Sequence, residues 1–226
     1  KKRIAFVGAI LSLIPFGQPL IIKISIVFSS SAVMLFVPEK AQAESANFYF
    51  DRAFSKGEKG DHYGAISDFT KVIEINPIDA VSYYNRGWNK GKLKDYYGAI
   101  SDYTEAIKID PNYGNAYYNR GLSKSKLKDY YGAISDYTEA IKIDPNDKSA
   151  YKNRGVNKGK LKDYYGAISD YNKAIEIDPN DTDLYVNRSI EKEMIGDIEG
   201  ACLDAKKAVS LGDKTSDNKS WINVNC

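Results

Sequence analysis

Apolar residues recur at helical spacing through most of the chain. In one segment, Ile100, Tyr103 and Ile107 fall at positions i, i+3 and i+7, so they lie on one face of a helix. Asp95 stands just before this segment, where an aspartate side chain accepts a backbone N–H from the first helical turn. Pro111 follows it, and proline neither continues a helix nor favours helical geometry in the preceding residue. The pattern therefore predicts a capped amphipathic helix.

This pattern returns every 34 residues. The string KLKDYYGAISDYTEAIKIDPN at 92–112 recurs unchanged at 126–146, and its first twelve residues recur at 160–171. The residues 80–93 predict another helix, so each repeat is predicted to be an antiparallel helix pair. One such pair cannot bury its apolar face alone, and neighbouring pairs must therefore stack into a solenoid.

Single residues keep the same 34-residue step through five units. They are a glycine at the eighth position (Gly87, Gly121, Gly155), an alanine at the twentieth (Ala65, Ala99, Ala133, Ala167, Ala201), an aromatic residue at the twenty-fourth (Phe69, Tyr103, Tyr137, Tyr171) and a proline at the thirty-second (Pro77, Pro111, Pro145, Pro179). In these residues the chain resembles the tetratricopeptide repeat family, over about 170 of its 226 residues. The fifth unit departs from the pattern, with Ser189 for the glycine and Asp213 for the proline, as expected of a terminal repeat.

The resemblance implies an all-α fold, a right-handed α-solenoid of five 34-residue helix-turn-helix repeats with a short C-terminal capping helix. We divide the chain into a signal or targeting segment at 1–43 and a repeat domain at 44–226. The predicted repeats are 46–79, 80–113, 114–147, 148–181 and 182–215, followed by the cap at 216–226.

In this family the first helices of the repeats line a concave surface that grips peptides, so the resemblance implies a non-catalytic scaffold for protein–protein interaction. Between the second and third units only seven positions differ, and all lie in the first helix or at the junction before it. This variation favours the first helices as the recognition surface. The residues expected to face the groove are Val81, Tyr84, Asn85, Trp88, Asn115, Tyr118, Asn119, Leu122, Lys152, Asn153 and Val156.

Two kinds of side chain in this groove suit a peptide partner. A recurring asparagine predicts a polar ladder for an extended backbone, and aromatic residues are predicted anchors, unless the rings pack against one another. The asparagines are Asn85, Asn119, Asn153 and Asn187, and the aromatic residues are Tyr84, Trp88 and Tyr118. Relatives that clamp a terminal carboxylate use Lys or Arg beside the asparagine, and here only Lys152 fits, so we expect no two-carboxylate clamp.

Every unit also carries an arginine at its seventh position and an aspartate at its twenty-third, on facing helices. We expect a structural salt bridge within each repeat, because bidentate guanidinium–carboxylate bonds offset the cost of burying both charges. A charged track for ligands is the alternative. The pairs are Arg52 with Asp68, Arg86 with Asp102, Arg120 with Asp136, Arg154 with Asp170 and Arg188 with Asp204.

Charge and composition weigh against several function classes. The formal charge of +2 comes from the first 43 residues, since the rest holds 27 basic and 29 acidic residues and lacks the basic footprint of nucleic-acid binding. Two cysteines and one histidine leave little material for a zinc site, and no nucleophile–base motif is found. His62 replaces a tyrosine of the other units and is expected to pack. We expect no catalytic residues, no metal site and no cofactor.

We therefore expect the partner to be a protein or peptide rather than a nucleic acid. An accessory subunit or assembly factor for an enzyme complex is the main alternative. An unrecognised enzyme and an RNA-binding helical repeat are less favoured, the latter because of the repeat length and the charge. Self-association through the exposed ends of the solenoid is a further alternative.

The first 43 residues have the pattern of a secretory signal. The chain opens Lys-Lys-Arg, is mostly apolar at 4–22 and 24–37, and then reaches the small-residue triplet Ala-Gln-Ala at 41–43. An uncleaved membrane anchor is the alternative, because the first run approaches the ~20 residues that span a bilayer. We expect an exported protein, in a periplasm or lumen or secreted, or else one attached to the membrane by this segment.

Cleavage after Ala43 would give a mature N-terminus at Glu44. N-terminal sequencing of the protein made in a host with an export pathway measures this directly. Recovery of the intact leader in the membrane fraction would instead support the anchor.

The end of the chain predicts a covalently tied cap. The segment 216–225 is expected to form a short helix, which is marginal alone because helix nucleation is costly. An oxidising compartment permits a disulfide between Cys202 and Cys226, and two free thiols are the alternative. The residues of the cap expected to make apolar contacts are Trp221, Ile222 and Val224.

Overall fold

A computed structural model describes residues 39–213 and 216–226, which belong to one compact unit, Val37–Cys226. The targeting segment predicted at 1–43 therefore lies outside the described residues, except for 39–43. Among the described residues, no helix is both long and apolar enough to cross a bilayer.

The described residues form eleven α-helices and no strand, as the repeat pattern predicts. The helices alternate between a first and a second helix of each repeat, and α11 follows the last pair. The first helices are α1 Glu39–Glu58, α3 Ala80–Lys92, α5 Gly114–Lys126, α7 Lys148–Lys160 and α9 Thr182–Met194. The second helices are α2 His62–Ile75, α4 Tyr96–Ile109, α6 Tyr130–Ile143, α8 Tyr164–Ile177 and α10 Ile198–Ser210, and α11 is Ser216–Asn225.

Helix α1 begins earlier than the repeat register predicts, at Glu39 rather than near residue 46. It continues through the predicted cleavage point after Ala43. Cleavage there would leave the segment 44–58, which is close to the 13 residues of α3 and α5. The start of α1 and the processing prediction are therefore compatible.

An aspartate caps the start of every second helix. Asp95, for example, accepts a hydrogen bond from the backbone nitrogen of Gly98 at 3.0 Å. A Cβ atom at Gly98 would come closer than 3.0 Å to that carboxylate, so a larger residue there would have to displace the Asp95 side chain. The caps of the other second helices are Asp61, Asp129, Asp163 and Asp197.

In each of the first four repeats the core is an aromatic ring packed under a small residue. Tyr137 is fully buried on α6, and a Cβ atom at Gly121 of α5 would come within 3.0 Å of its ring. In these four repeats the first helix carries glycine or alanine at the point where it approaches the ring. Buried alanines at the twentieth and twenty-seventh positions, such as Ala133 and Ala140, fill the space between neighbouring repeats.

The structure brings each predicted arginine–aspartate pair together and adds partners that the sequence did not suggest. Asp136 is buried, and it accepts bonds from Arg120 Nε at 2.9 Å and Nη2 at 2.7 Å. Lys124 Nζ lies 2.8 Å from Asp136 Oδ2. Arg120 Nη1 donates to Thr104 Oγ1 of the preceding repeat at 3.1 Å. The guanidinium also stacks over Tyr117 at 5.4 Å. The network therefore joins the two helices of one repeat to its neighbour.

The same lysine contact recurs in the other four repeats. Arg52 holds the pKa of Asp68 below its usual value through their hydrogen bond, with Lys56 adding to the effect. The lysines that contact the buried aspartates are Lys56, Lys90, Lys124, Lys158 and Lys192.

Helix α11 packs on α10, and a disulfide joins Cys202 to Cys226 with a Cα–Cα distance of 5.7 Å. Trp221 and Ile222 are half-buried, and Trp221 Nε1 donates to Glu193 at 3.1 Å. The prediction that Val224 makes an apolar contact is wrong, because Val224 is 81% exposed. It lies two residues beyond Ile222, so the helix turns it away from α10.

Candidate functional site

The predicted groove residues lie on the first helices of the second, third and fourth repeats. At the N-terminal end of this row, α1 and α3 enclose a cleft of about 300 Å³. Aromatic side chains dominate its walls, with Asn85 and Glu58 among the polar residues. The lining residues are Phe54, Gly57, Glu58, Phe69, Tyr84, Asn85, Trp88 and Asn89. We call this the aromatic cleft.

Trp88 is held in place on the wall of the aromatic cleft. It is half-buried, and its ring meets the edge of His62 at a centroid distance of 5.9 Å. Lys92 Nζ lies 4.7 Å from the centre of the indole, a cation–π contact. His62 is tied in turn to Asn89, with Nδ1 2.9 Å from Oδ1. His62 therefore packs, as the sequence suggests, and it orients a tryptophan.

Asparagine side chains link the first helices of successive repeats. Asn119 Nδ2 donates to Tyr84 Oη of the preceding repeat at 3.0 Å and to the carbonyl of Asn115 at 3.0 Å. Asn153 Nδ2 repeats the first contact, with Tyr118 Oη at 2.9 Å. Among the described residues, none donates a hydrogen bond to the Oδ1 atom of Asn119 or Asn153. Each amide is therefore fixed by its nitrogen and keeps its oxygen for another donor.

The asparagines at the two ends of the row are bound differently. Asn85 Nδ2 donates only to the carbonyl of Val81, at 2.8 Å, because the first repeat has Phe50 where the next has a tyrosine. Asn187 is half-buried, and no described residue forms a side-chain hydrogen bond with it. Val81 and Asn115 are exposed beside these helices.

Tyr84 and Tyr118 belong to the packing as much as to the surface. Tyr84 lies 5.8 Å from Tyr103 and 4.9 Å from Tyr113 between ring centres. Tyr118 lies 5.8 Å from Tyr137. Burial raises the pKa of the Tyr84 hydroxyl above its ordinary value. For these two residues the structure shows the alternative named above, rings that pack together, although Tyr84 also lines the aromatic cleft beside Trp88.

The C-terminal part of the row is less apolar. Lys152 Nζ lies 3.4 Å from Asp183 and 3.9 Å from Asp181, so acidic groups already partner this lysine. Leu122 and Val156 are half-buried, and Val156 packs against the core cluster of the fourth repeat. This end therefore offers mixed charges and small apolar surfaces rather than a cleft.

Sequence reasoning did not identify the first-repeat side of the aromatic cleft. Phe54 occupies the register position of Trp88, Leu122 and Val156, but the comparison of near-identical units left the first unit out. Aligning the first unit in the same register would have placed a second large aromatic residue beside Trp88. Phe54 is 50% exposed, which is unusual for a phenylalanine and indicates accessible apolar surface.

Comparison with known proteins supports the repeat assignment. Sequence profiles described as Tetratricopeptide repeat match residues 46–79, 80–113, 114–147 and 149–181. Together these ranges cover more than half of the chain. No curated protein matches the sequence significantly.

Several solved structures are similar to this fold. A crystal structure of MamA superposes with a TM-score of 0.72 at 25% identity, covering 75% of this chain and 92% of that one. YrrB, described as a TPR protein with an unusual peptide-binding site, gives 0.73 at 20% identity over 81% of this chain and 95% of YrrB. PilF of Pseudomonas aeruginosa gives 0.66 at 16% identity over 79% and 81%. The last two likenesses concern the fold alone.

Proposed function

Because the chain belongs to the tetratricopeptide repeat family, we propose that it is a non-catalytic scaffold that binds a peptide or protein segment along its first helices. The observation that carries the proposal is the aromatic cleft, which is followed along the first helices by the Oδ1 atoms of Asn119 and Asn153, to which no described residue donates a hydrogen bond. YrrB, which shares the fold, is described as having a peptide-binding site, and this supports the same use here.

The aromatic cleft suits one large apolar side chain of the partner. Its volume of about 300 Å³ is at the lower end of typical ligand pockets. Phe54 and Trp88 supply rigid walls, and burying a large side chain against them removes apolar surface from water. Such an anchor in a formed pocket typically carries a large share of the binding energy.

The asparagine row suits the partner's backbone on the side of that anchor that faces the third and fourth repeats. Asn119 and Asn153 each present an Oδ1 atom that accepts a hydrogen bond from a backbone N–H. Their nitrogens are already fixed to Tyr84 and Tyr118, so little side-chain freedom is lost on binding. Contacts to the backbone leave the partner's sequence open, and the aromatic cleft then selects the side chain.

We predict that Trp88→Ala weakens partner binding by ~2 kcal/mol or more, about 30-fold, with little loss of helix content. The partner is first captured by a pull-down from the native compartment, and its affinity is then measured by isothermal titration calorimetry. Trp88→Leu is the matched control, because the third repeat carries Leu122 at the same place. Unchanged affinity together with a collapse of thermal stability would assign Trp88 to packing alone.

We also propose that the protein acts in an oxidising compartment outside the cytoplasm. The Cys202–Cys226 disulfide supports this, because such bonds persist mainly where thiols are oxidised. The apolar, basic start of the chain supports export as well.

A further inference from the structure

The turns between the two helices of a repeat use two different residues at one strained position. Gly60 and Gly196, in the first and fifth repeats, adopt positive φ of +83° and +82°. At the same position of the middle repeats, Lys94, Lys128 and Lys162 adopt φ of 63° to 64°. Glycine takes this conformation freely, whereas an L side chain clashes with its own backbone. Three repeats thus carry a lysine where glycine satisfies the same turn.

These three lysines belong to a larger set of exposed lysines that contact no carboxylate among the described residues. Each is preceded, two residues earlier, by another exposed lysine on the last turn of the first helix. No carboxylate of the described residues lies within 4.0 Å of any of the six. In contrast, the neighbouring Lys90, Lys124 and Lys158 contact buried aspartates at 2.8 Å. The six lysines of this set are Lys92, Lys94, Lys126, Lys128, Lys160 and Lys162; of these, Lys92 also lies over the Trp88 indole and Lys160 interacts electrostatically with Glu191.

Exposed tyrosines follow these lysines closely in the sequence. Tyr97, Tyr131 and Tyr165 lie three residues after the strained position and are 76%, 76% and 73% exposed. A glycine follows each of them, and a serine stands four residues on, so no large side chain on that face of the helix covers the ring. A tyrosine ring joins an apolar body to a polar tip, which suits the boundary between lipid and water. We call the six lysines and three tyrosines the turn edge.

We propose that the turn edge docks the protein on a membrane surface that contains anionic lipid. The lysines attract the negative headgroups, and the tyrosine rings lie at headgroup level. The turns of three consecutive repeats carry the same residues, so they repeat one contact along a line. A flat lipid surface accommodates such a row without a matching shape.

Acidic groups near the turn edge offset only part of this attraction, and Glu191 does so at Lys160. Asp95, Asp129 and Asp163 lie in the same turns, but each caps a helix and faces the positive end of its dipole. The acidic turns on the other edge, such as that at Asp178, are one helix length away, about 20 Å. That distance exceeds two Debye lengths at physiological salt, so their charge is screened.

A lipid surface fits this edge better than a nucleic acid. Single strands bind in positively charged grooves whose aromatic side chains stack with successive bases. Here the lysines and tyrosines lie at the ends of helix pairs and in the turns between them, and the tyrosine rings are largely exposed. Residues 44–226 also have more acidic than basic groups, which disfavours a polyanion that wraps the protein.

The test measures partition of the full chain onto vesicles by co-sedimentation. One set of vesicles is phosphatidylcholine, and the other is an equal mixture of phosphatidylcholine and phosphatidylglycerol. The leader is basic and favours the anionic vesicles in every variant, so the contribution of the turn edge is the change in this ratio between the wild type and a variant with the same leader. We expect a ratio well above one that falls at high salt.

The decisive variant replaces Lys94, Lys128 and Lys162 together by glycine. We expect the ratio to fall by up to about 100-fold, while the melting temperature rises because the strained turns relax. Replacing the same three by arginine should keep the ratio. Replacing Tyr97, Tyr131 and Tyr165 together by serine should lower partition onto both kinds of vesicle.

The matched control removes three paired lysines instead. Lys108, Lys142 and Lys173 each contact a glutamate at 2.7 Å, and changing all three to serine should leave the ratio within about twofold. A wild-type ratio near one, or an equal loss in this control, overturns the proposal. So does tighter, lysine-dependent binding to a fluorescent single-stranded oligonucleotide, which would assign the turn edge to nucleic acid.

Discussion

Asp136→Ala should destabilise the protein by about 3–5 kcal/mol, although it removes only one carboxylate. Asp136 is 2% exposed and contacts both Arg120 and Lys124. Its loss leaves two cations, each with a side chain no more than 20% exposed, without a counter-charge. The third repeat is central, and each repeat is stabilised by its neighbours, so the defect should spread to both sides. Urea unfolding followed by circular dichroism gives the free energy of unfolding.

Glu139→Ala provides the matched control on the same helix. Glu139 also pairs with a lysine, Lys142, at 2.7 Å, but the two side chains are 41% and 65% exposed, far more than those around Asp136. Exposed pairs contribute roughly 0–1 kcal/mol, so this variant should be nearly neutral. Comparable losses in the two variants would mean that burial of the charge does not set the cost. The ion-pair network would then be no more important than the surface pairs.

Much of this network follows from the sequence. The constant offset between Arg120 and Asp136, repeated in every unit, identifies partners on facing helices. Lys124 has the same periodicity and lies four residues after Arg120, on the same helix face. It was not predicted as a partner because periodic lysines on helices usually face solvent. The i+4 spacing to an arginine already assigned to a buried aspartate is the signal that would have found it.

The aromatic cleft depends on features that no single repeat contains. It forms where Phe54 of one first helix meets Trp88 of the next, and each residue alone is only an apolar position on a helix. The tyrosines show the reverse. Tyr84 and Tyr118 occupy register positions that predict contact with a partner. Their rings instead pack against Tyr103 and Tyr137, so part of their surface is already buried within the protein.

A rigid groove has an energetic consequence for binding. The amides of Asn119 and Asn153 are anchored across repeats, and the helices that carry them are joined by buried ion pairs. The scaffold therefore loses little conformational entropy on binding, and most of the entropy loss comes from ordering the partner. Variants that loosen the ion-pair network should weaken binding even though they do not touch the groove.

Cys226→Ser should release the C-terminal cap and remove about 3 kcal/mol of its stability. The disulfide closes a loop with a sequence separation of 24, and the loop-entropy relation gives this value. Helix α11 has ten residues, too few to be stable in water without a tertiary tie. Cys226 is exposed, so the serine changes little besides the bond. Val224→Ser is the control, because Val224 is on the same helix and 81% exposed.

The cap reports its own release through Trp221. Its indole is half-buried and hydrogen-bonded to Glu193, so detachment of α11 should shift its emission to the red in a Trp88→Phe background. Proteolysis should then cut near residue 214 faster in Cys226→Ser than in Val224→Ser. Thiol titration of the oxidised, unfolded wild type should find no reactive group, and two per chain would contradict the disulfide. A further outcome is that the wild type contains the bond while Cys226→Ser keeps the same emission and the same rate of proteolysis. That result would mean that Trp221 and Ile222 hold α11 in place without the disulfide.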